Sequence, residues 1–255
     1  MASIIASICP FVEIHVAKID CRKQGYLPNP VFDVRKLPDA IEWALDNDIE
    51  IMSTSWIFRD HVELQAPSAK PKDTSELQTP ASKLKRLIDN DERSATVVIY
   101  SAARDKENDA DKSEYYPADC TRAQSIGAAN IHNSPQRYVV PKATDFIFPS
   151  QNVVDGDADG GNSVATAVAA GVAALVLHCF REDNLELKPA VRRSFMEKLF
   201  RDLAEPNTKY VNLEKLFSRS DSEPANPHRF VESVLAKLSL ERSQVESGRW
   251  FSHAR

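Results

Sequence analysis

The sequence predicts an α/β fold in which a parallel sheet is flanked by helices. Short apolar runs alternate with segments of helical periodicity, and strand, helix, strand is the pattern of a parallel sheet. Residues 95–103 (ATVVIYSAA) form an uncharged run rich in β-branched residues, which is typical of a buried strand. Residues 160–180 also carry no formal charge, and their small apolar side chains predict a helix that is buried on all sides.

The first elements follow from local patterns along the chain. Ala2–Ile8 is expected to be the tail of a helix, because no cap or first turn precedes it. Phe11–Ala17 is rich in β-forming residues and predicts a strand. Leu37–Asn47 has apolar residues at helical spacing and a proline near its start, where a helix tolerates it. Residues 49–56 (IEIMSTSW) then predict a short buried strand.

The rest of the chain supplies further elements separated by polar segments. Arg59–Pro80 and residues 104–114 are polar or highly charged and lack periodicity, so we expect loops there. The remaining predicted elements are a charged helix at 84–88, short strands at 123–129 and 145–149, and amphipathic helices of a C-terminal tail at 190–204 and 228–240.

Composition and charge exclude several classes of function. A net charge of −5 spread along 255 residues leaves no basic stripe for a phosphate backbone, so we expect no nucleic-acid partner. The first residues lack the basic region and the cleavage site of a secretory signal. Residues 164–180 fall short of the roughly 20 strongly apolar residues that cross a bilayer, so we expect no membrane association.

The cysteines indicate a reducing environment. They lack the spacing of a metal site, and most lie in or beside apolar runs, where a free cysteine packs as a small hydrophobic residue. We therefore expect free thiols, a cytoplasmic location, and neither a metal nor another cofactor. The cysteines are Cys9, Cys21, Cys120 and Cys179.

Ser163 is the first candidate for a functional side chain. It follows two glycines at the first turn of the uncharged helix. A helix N-terminus has unsatisfied N–H groups and a partial positive charge, which can stabilise an oxyanion that forms beside a serine hydroxyl. The simpler alternative is that Asn162 or Ser163 only caps the helix.

The neighbours of Ser163 favour the functional interpretation. The stretch GNSVATAVAAGVAAL (161–175) resembles the G-T-S-x-A-x-P-x-x-A-G-x-x-A-L signature of subtilisin-like serine peptidases, the subtilases. Asn162 replaces the family threonine, and Ala167 replaces the proline. Other segments resemble subtilase segments in the family's order, namely 2–19, 39–56, 97–105, 115–129 and 143–153.

The resemblance implies a serine endopeptidase that acts on a polypeptide substrate. Ser163 takes the position of the nucleophile, and its own N–H that of an oxyanion donor. Asp105 stands where most subtilases have an asparagine as the second oxyanion donor, although an ionised carboxylate can only accept hydrogen bonds. Ser55 and Trp56 resemble the strand that binds substrate, but Ile57 stands where the family usually has glycine, and its side chain is expected to narrow the substrate cleft.

The remaining triad residues are the main departure from the family. Subtilases carry an Asp and then a His in an H-G-T motif ahead of the serine, and both positions would lie upstream of Met1. The resemblance thus implies a subtilisin-like domain at 1–180 that is incomplete at its N-terminus, followed by a helical extension at 181–255. We expect no other histidine to serve as the base, so the isolated chain should be almost inactive; those considered are His15, His61, His132 and His178.

Two other site types fit the sequence less well. A nucleophile elbow of the α/β-hydrolase type would use Asp183 or Asp202 and then His228, but no strand ends at Ser163. A calcium loop would begin at Asp155, but its twelfth position is Thr166 where a bidentate glutamate is needed. At the level of function, the alternative to a peptidase is a catalytically inactive subtilase-like module that binds peptides or partners.

Overall fold

The computed structural model describes residues 1–19, 21–22, 31–59, 79–105, 114–153, 160–217 and 227–247. Its helices are α1 (Ala2–Ile8), α2 (Leu37–Asp46), α3 (Pro80–Asp89), α4 (Asn162–Glu182), α5 (Pro189–Leu203), α6 (Leu213–Phe217), α7 (Pro227–Leu238) and α8 (Arg242–Ser247). Its strands are β1 (Cys21–Arg22), β2 (Val31–Phe32), β3 (Ile51–Thr54), β4 (Phe58–Arg59), β5 (Val98–Ala102), β6 (Tyr115–Tyr116), β7 (Ala123–Ala129) and β8 (Phe146–Pro149).

The central sheet is parallel and has the strand order β3-β5-β7-β8. Two short antiparallel pairs, β1 with β2 and β4 with β6, lie outside it. Because all four central strands run in one direction, the loops that follow them meet at a single edge, which we call the carboxyl edge. The predicted fold class, a parallel sheet flanked by helices, is confirmed.

Helix α4 is the buried helix that the sequence predicts. Its side chains are nearly all apolar and small, and most of them are buried against the sheet. It is the one helix in the described part of the chain that is long and apolar enough to cross a membrane. Of its apolar 18-residue stretch, 78% is buried within the protein.

Helix α1 packs against α4 at a glycine. A Cβ atom placed on Gly171 would lie 3.0 Å from both the Cβ and the Cδ1 of Ile8. A real Cβ is rarely that close to a neighbour, so the absence of a side chain at Gly171 is what lets the two helices approach. The helical tail predicted at Ala2–Ile8 is thereby joined to the core of the fold.

The two faces of the sheet are covered by different helices. Helices α2 and α3 pack on one face, around Ile99 of β5. Helices α4 and α5 pack on the other, where the Phe200 ring of α5 lies 4.9 Å from Phe148 and 5.8 Å from Tyr100, centroid to centroid. Helix α5 thus contributes to the same core as α4, while the domain boundary proposed at residue 180 stays a prediction.

The strand predicted at Phe11–Ala17 is not a paired strand. The segment is extended, but within the described ranges it joins no sheet. A strand needs a neighbouring backbone as well as β-forming residues, and here Phe11 and Val16 are 72% and 71% exposed. An apolar cleft of about 270 Å³, which we call the edge cleft, lies between residues 12–19 and β3.

Other predicted features agree with the structure where it describes them. Cys9, Cys120 and Cys179 are free thiols. Burial raises the pKa of Cys179 to about 11, as expected for a thiol that packs rather than reacts. The predicted loops at Arg59–Pro80 and 104–114 lie mostly outside the described residues.

Candidate active site

Ser163 lies at the carboxyl edge of the sheet, as the second residue of α4. Gly161 is the N-cap, and no side chain caps the helix. The alternative in which Asn162 or Ser163 is only an N-cap is therefore wrong. The first intrahelical bond from this end is donated by the N–H of Ala165 to the carbonyl of Gly161. The N–H of Ser163 precedes it and points out of the helix terminus, where the helix dipole is positive.

Gly160, which precedes the N-cap of α4, occupies a position that only glycine can take. A Cβ atom on Gly160 would lie 1.6 Å from the carbonyl oxygen of Ser150, so no other residue fits there. The carbonyl of Gly160 accepts a hydrogen bond of 2.9 Å from the Tyr138 hydroxyl. Sequence reasoning missed Tyr138 and Ser150, because each acts on Gly160 only across the folded chain.

The hydroxyl of Ser163 is half-buried and donates a 3.0 Å hydrogen bond to the carbonyl of Ser55. Ser55 follows β3, so two of the predicted site residues meet at the carboxyl edge. Among the residues that the structure describes, this is the one hydrogen bond of the Ser163 hydroxyl. The described chain thus holds the hydroxyl in place without a base to remove its proton.

Asn162 connects the helix to two strands. Its Oδ1 accepts a 2.9 Å bond from the N–H of Ala128 in β7, and its Nδ2 donates a 2.9 Å bond to the carbonyl of Ala103 after β5. The same Nδ2 donates to Asp105 Oδ1 at 3.1 Å. This buried amide uses its acceptor and its donors together, so it orients the start of α4 on the sheet.

Asp105 is placed beside the residue that precedes Ser163. Its backbone forms an antiparallel bridge with Val139, and its carboxylate accepts the hydrogen bond from Asn162. The sequence marked Asp105 by resemblance, and the structure brings it to this edge. Asn162 connects Asp105 to the helix, and the sequence prediction did not include this role. The only sequence signal for it was an asparagine at the position where the family has threonine.

Trp56 and Ile57 follow Ser55 in the same loop. Both are half-buried, and the Trp56 ring packs 6.4 Å from the Phe58 ring, between centroids, at the margin of the core around α2 and α3. The contact of this loop with Ser163 is made by the backbone of Ser55. Trp56 is therefore near the site in sequence, while its ring is used for packing.

The histidines that the structure describes have other partners or lie on the surface. The His15 ring bonds to Glu13 at 3.0 Å, and the His178 ring stacks on Phe11 with centroids 4.3 Å apart. His132 is an exposed turn residue. His61, the remaining histidine considered above, lies outside the described residues.

Asp183 and His228, the pair that would suit a hydrolase elbow, do meet, with Nδ1 and Oδ1 2.8 Å apart. They lie just beyond the C-terminus of α4, about 30 Å along the helix from Ser163 at 1.5 Å per residue. Together with Glu232 they have the spacing of a metal site, but the Arg242 guanidinium bonds to all three side chains. The acidic stretch that begins at Asp155 lies outside the described residues.

Comparison with known proteins adds independent evidence. A sequence profile of the subtilase family matches residues 3–212. A lanthipeptide protease of known structure shares the fold with a TM-score of 0.59 at 17% identity, over 80% of this chain and 66% of that one. The prenylagaramide maturation protease PagA gives 0.51 at 19% identity, over 82% and 69%.

The protease domain of PatA gives a TM-score of 0.54 at 16% identity, over 82% of this chain and 66% of that one. The chain thus spans about two thirds of the length of these proteases, and at such identities the likeness concerns the fold. No curated protein matches the chain. The profile match covers most of the chain and includes the Ser163 region, so the chain belongs to the subtilase family.

Proposed function

We propose that this chain carries the nucleophile of a serine endopeptidase. The observation that supports it most is the position of Ser163, at the N-terminus of a buried helix, with its hydroxyl held on the carbonyl of Ser55. That position places a hydroxyl oxygen beside N–H groups that can donate hydrogen bonds to a developing negative charge. Membership of the subtilase family supports the same reaction type.

In the proposed reaction, the Ser163 oxygen attacks the carbonyl carbon of a peptide bond while a base takes the hydroxyl proton. The carbonyl oxygen becomes an oxyanion, which the N–H of Ser163 and the terminus of α4 stabilise. The C–N bond then breaks, the amine leaves with a proton from the protonated base, and an acyl-enzyme remains. Water hydrolyses the acyl-enzyme and restores the serine.

The substrate is proposed to be an extended polypeptide beside Ser55 and Trp56. Support comes from the location of Ser55, since its carbonyl faces Ser163 and its loop follows the edge strand β3. The free thiols of Cys9, Cys120 and Cys179 support action in a reducing compartment such as the cytoplasm.

The base and the residue that orients it are proposed to come from a polypeptide segment outside these 255 residues. Within the described chain no histidine bonds to Ser163, and a serine without a base is a poor nucleophile at neutral pH. Losing one triad member typically leaves only about 10³–10⁴-fold catalysis over water. The chain alone is therefore expected to be almost inactive.

A fluorophosphonate probe tests the proposal, because it labels a serine that has both a base and an oxyanion site. The chain alone should be labelled no faster than its Ser163→Ala variant. Fusing a subtilase segment with the D-[ST]-G and H-G-T motifs ahead of Met1 should give labelling at Ser163, measured by mass spectrometry of the tryptic peptides. The matched control is the same fusion carrying Ser163→Ala.

Two results would contradict the proposal in different ways. Rapid labelling of the unextended chain at Ser163 would mean that a base lies within the 255 residues. A fused chain that folds but is not labelled would point to Asp105 or Ile57 as disabling changes. It would favour the alternative function, a subtilase-like module that binds peptides without cleaving them.

A further inference from the structure

A second cleft lies at the opposite edge of the sheet from Ser163. It has a volume of about 410 Å³ and is formed by the amino ends of β7 and β8 together with α5. We call it the amino-edge cleft. From Gln124, which lines it, to Ala128, which bonds to Asn162, the strand runs four residues, or about 13 Å. The cleft is thus separate from the candidate active site.

One residue that lines the cleft has a buried amide with no partner. Gln124 is 6% exposed, and neither its Nε2 nor its Oε1 has a hydrogen-bond partner in the described part of the protein. A buried donor or acceptor that stays unpaired is costly, and native proteins pair almost all such groups. Gln124 therefore has an unused donor and an unused acceptor at a residue that lines the cleft.

The walls of the cleft carry three cations that form no ion pair with a described acidic side chain. Arg193 of α5 has no ion pair or hydrogen bond through its side chain among the described residues. Arg122 donates to the carbonyl of Asp91 and to the Ser94 hydroxyl, and Lys209 donates to the carbonyls of Pro141 and Thr144. These acceptors are neutral, although the Asp91 carboxylate is close enough to Arg122 for the two charges to interact.

The acidic residues of the cleft are mostly paired elsewhere. Glu197 bonds to Arg201 on the same helix, and Glu205 bonds to Lys215 at 2.8 Å. Asp145 accepts a 2.8 Å bond from the N–H of Ser125. Three cations therefore face one carboxylate that lacks a cationic partner among the described residues, which favours an anionic ligand.

We propose that the amino-edge cleft binds a small ligand that carries a carboxylate next to an amide, as in an acylated amino acid or the last residue of a peptide. Arg193 and Lys209 recognise the carboxylate, and Gln124 pairs with the amide through its unused donor and acceptor. A volume of about 410 Å³ is within the range of small-molecule sites. The site does not depend on Ser163 or on the proposed peptidase activity.

Isothermal titration calorimetry of the full chain tests this proposal with N-acetylglycine as the probe. We expect saturable binding, and at least tenfold weaker binding of N-acetylglycinamide, which lacks the carboxylate, and of inorganic phosphate, which lacks the amide. Absence of binding, or equal binding of either analogue, would overturn the proposal. A decapeptide with a free C-terminus separates the sources: tighter binding than N-acetylglycine assigns the site to a polypeptide terminus, and weaker binding to a free metabolite.

Variants of residues in the cleft distinguish a specific binding site from a general affinity of the protein for anions. Arg193→Leu should weaken N-acetylglycine binding at least tenfold, whereas Lys198→Ala on the same helix, where Lys198 pairs with Asp202, should leave it unchanged. Gln124→Leu removes the unpaired amide at similar volume, so it should raise the melting temperature while weakening binding at least tenfold. Unchanged binding by Arg193→Leu or by Gln124→Leu would refute the proposal.

Discussion

Asn162 illustrates what a single residue contributes to this site. Its amide joins the end of β5, the end of β7 and Asp105, all of which lie far from Asn162 along the chain. The sequence places Asn162 in a helix start, where an amide side chain suggests a cap. Sequence reasoning could find Ser163 and Asp105 by resemblance, but it could not find the bonds of Asn162, because they depend on how the strands pair.

We expect Asn162→Leu to lower the free energy of unfolding by about 2–4 kcal/mol, because the N–H of Ala128 and the carbonyl of Ala103 would lose their partner while buried. Chemical denaturation measures the change. Asn162→Thr, which restores the family residue, should cost less because its hydroxyl can still pair with one of the two groups. An unaltered midpoint and slope for Asn162→Leu would show that water replaces the amide.

At the scale of elements, the contact of α1 with α4 depends on the lack of a side chain at Gly171. The neighbouring Ile8 atoms lie 3.0 Å from the position of a Cβ, which is too close for most substitutions. Overpacking of this kind usually costs about 1–3 kcal/mol. The close approach of α1 at Ile8 therefore depends on one position of α4.

Gly171→Leu should accordingly destabilise the protein by about 1–3 kcal/mol or more, measured by thermal or chemical unfolding. The double-mutant test uses the milder Gly171→Ala with and without Ile8→Ala. If Ile8 is the residue that Gly171→Ala meets, the second change should recover part of the loss, giving a coupling of at least about 0.5 kcal/mol. Strict additivity of the two changes would mean that the methyl group added at position 171 contacts a residue other than Ile8.

The C-terminal end of α4 is linked to α7 and α8 by an ionic cluster around Asp183. The burial of Asp183 opposes its ionisation, but hydrogen bonds from Arg242 and His228 outweigh burial, so the pKa of Asp183 lies below its ordinary value. A lowered pKa in the folded state means that the ionised carboxylate stabilises the protein above the unfolded pKa of about 4. That stabilisation is lost as the pH falls through the folded value.

We expect Asp183→Asn to cost about 1–2 kcal/mol at pH 6, since it removes an acceptor for charged donors. The difference in melting temperature from the parent should shrink as the pH falls below about 4, where the parent carboxylate is protonated. Asp202→Asn, in an exposed pair with Lys198, is the control and should change little. A gap that is the same at pH 3 and pH 6 would mean that the Asp183 charge plays no part.

The accuracy of the sequence predictions differed between elements for a physical reason. Helix α2 and strand β5 were predicted closely, because periodicity and an apolar run are local properties of the chain. Phe11–Ala17 has the composition of a strand, yet within the described residues it pairs with no strand. Pairing depends on which backbone lies beside a segment, and composition does not encode that.

At the scale of the whole molecule, one edge strand of the described central sheet has a further backbone neighbour and the other edge strand has none. Strand β8 is backed by a bridge from Ile147 to Tyr210, while β3 pairs only with β5 in the part that the structure describes. The edge cleft lies next to β3 and is lined by the exposed Val16. Phe11, which is also exposed, directly precedes Val12 of the same cleft. An open strand with apolar neighbours favours pairing between molecules.

The isolated chain should therefore self-associate, with loss of monomer at micromolar concentration in size-exclusion chromatography. Phe11→Lys together with Val16→Lys should increase the monomer fraction with little change in melting temperature, because both side chains are largely exposed. The matched control, Ile131→Lys, changes an exposed apolar residue that follows β7, which is separated from β3 by β5, and should not help. A monodisperse parent chain would contradict this expectation.

The bond between Ser163 and Ser55 joins residues 108 positions apart, and Asn162 reaches Ala103 across 59. Contacts of such sequence separation form only after long loops have closed, and parallel sheets rich in them fold slowly, on scales of milliseconds to seconds or longer. The Ser163 geometry should therefore appear late in refolding, after the local helices. A nascent or partly folded chain would then hold an incomplete serine site, and its hydroxyl would acquire its neighbours only once the sheet is assembled.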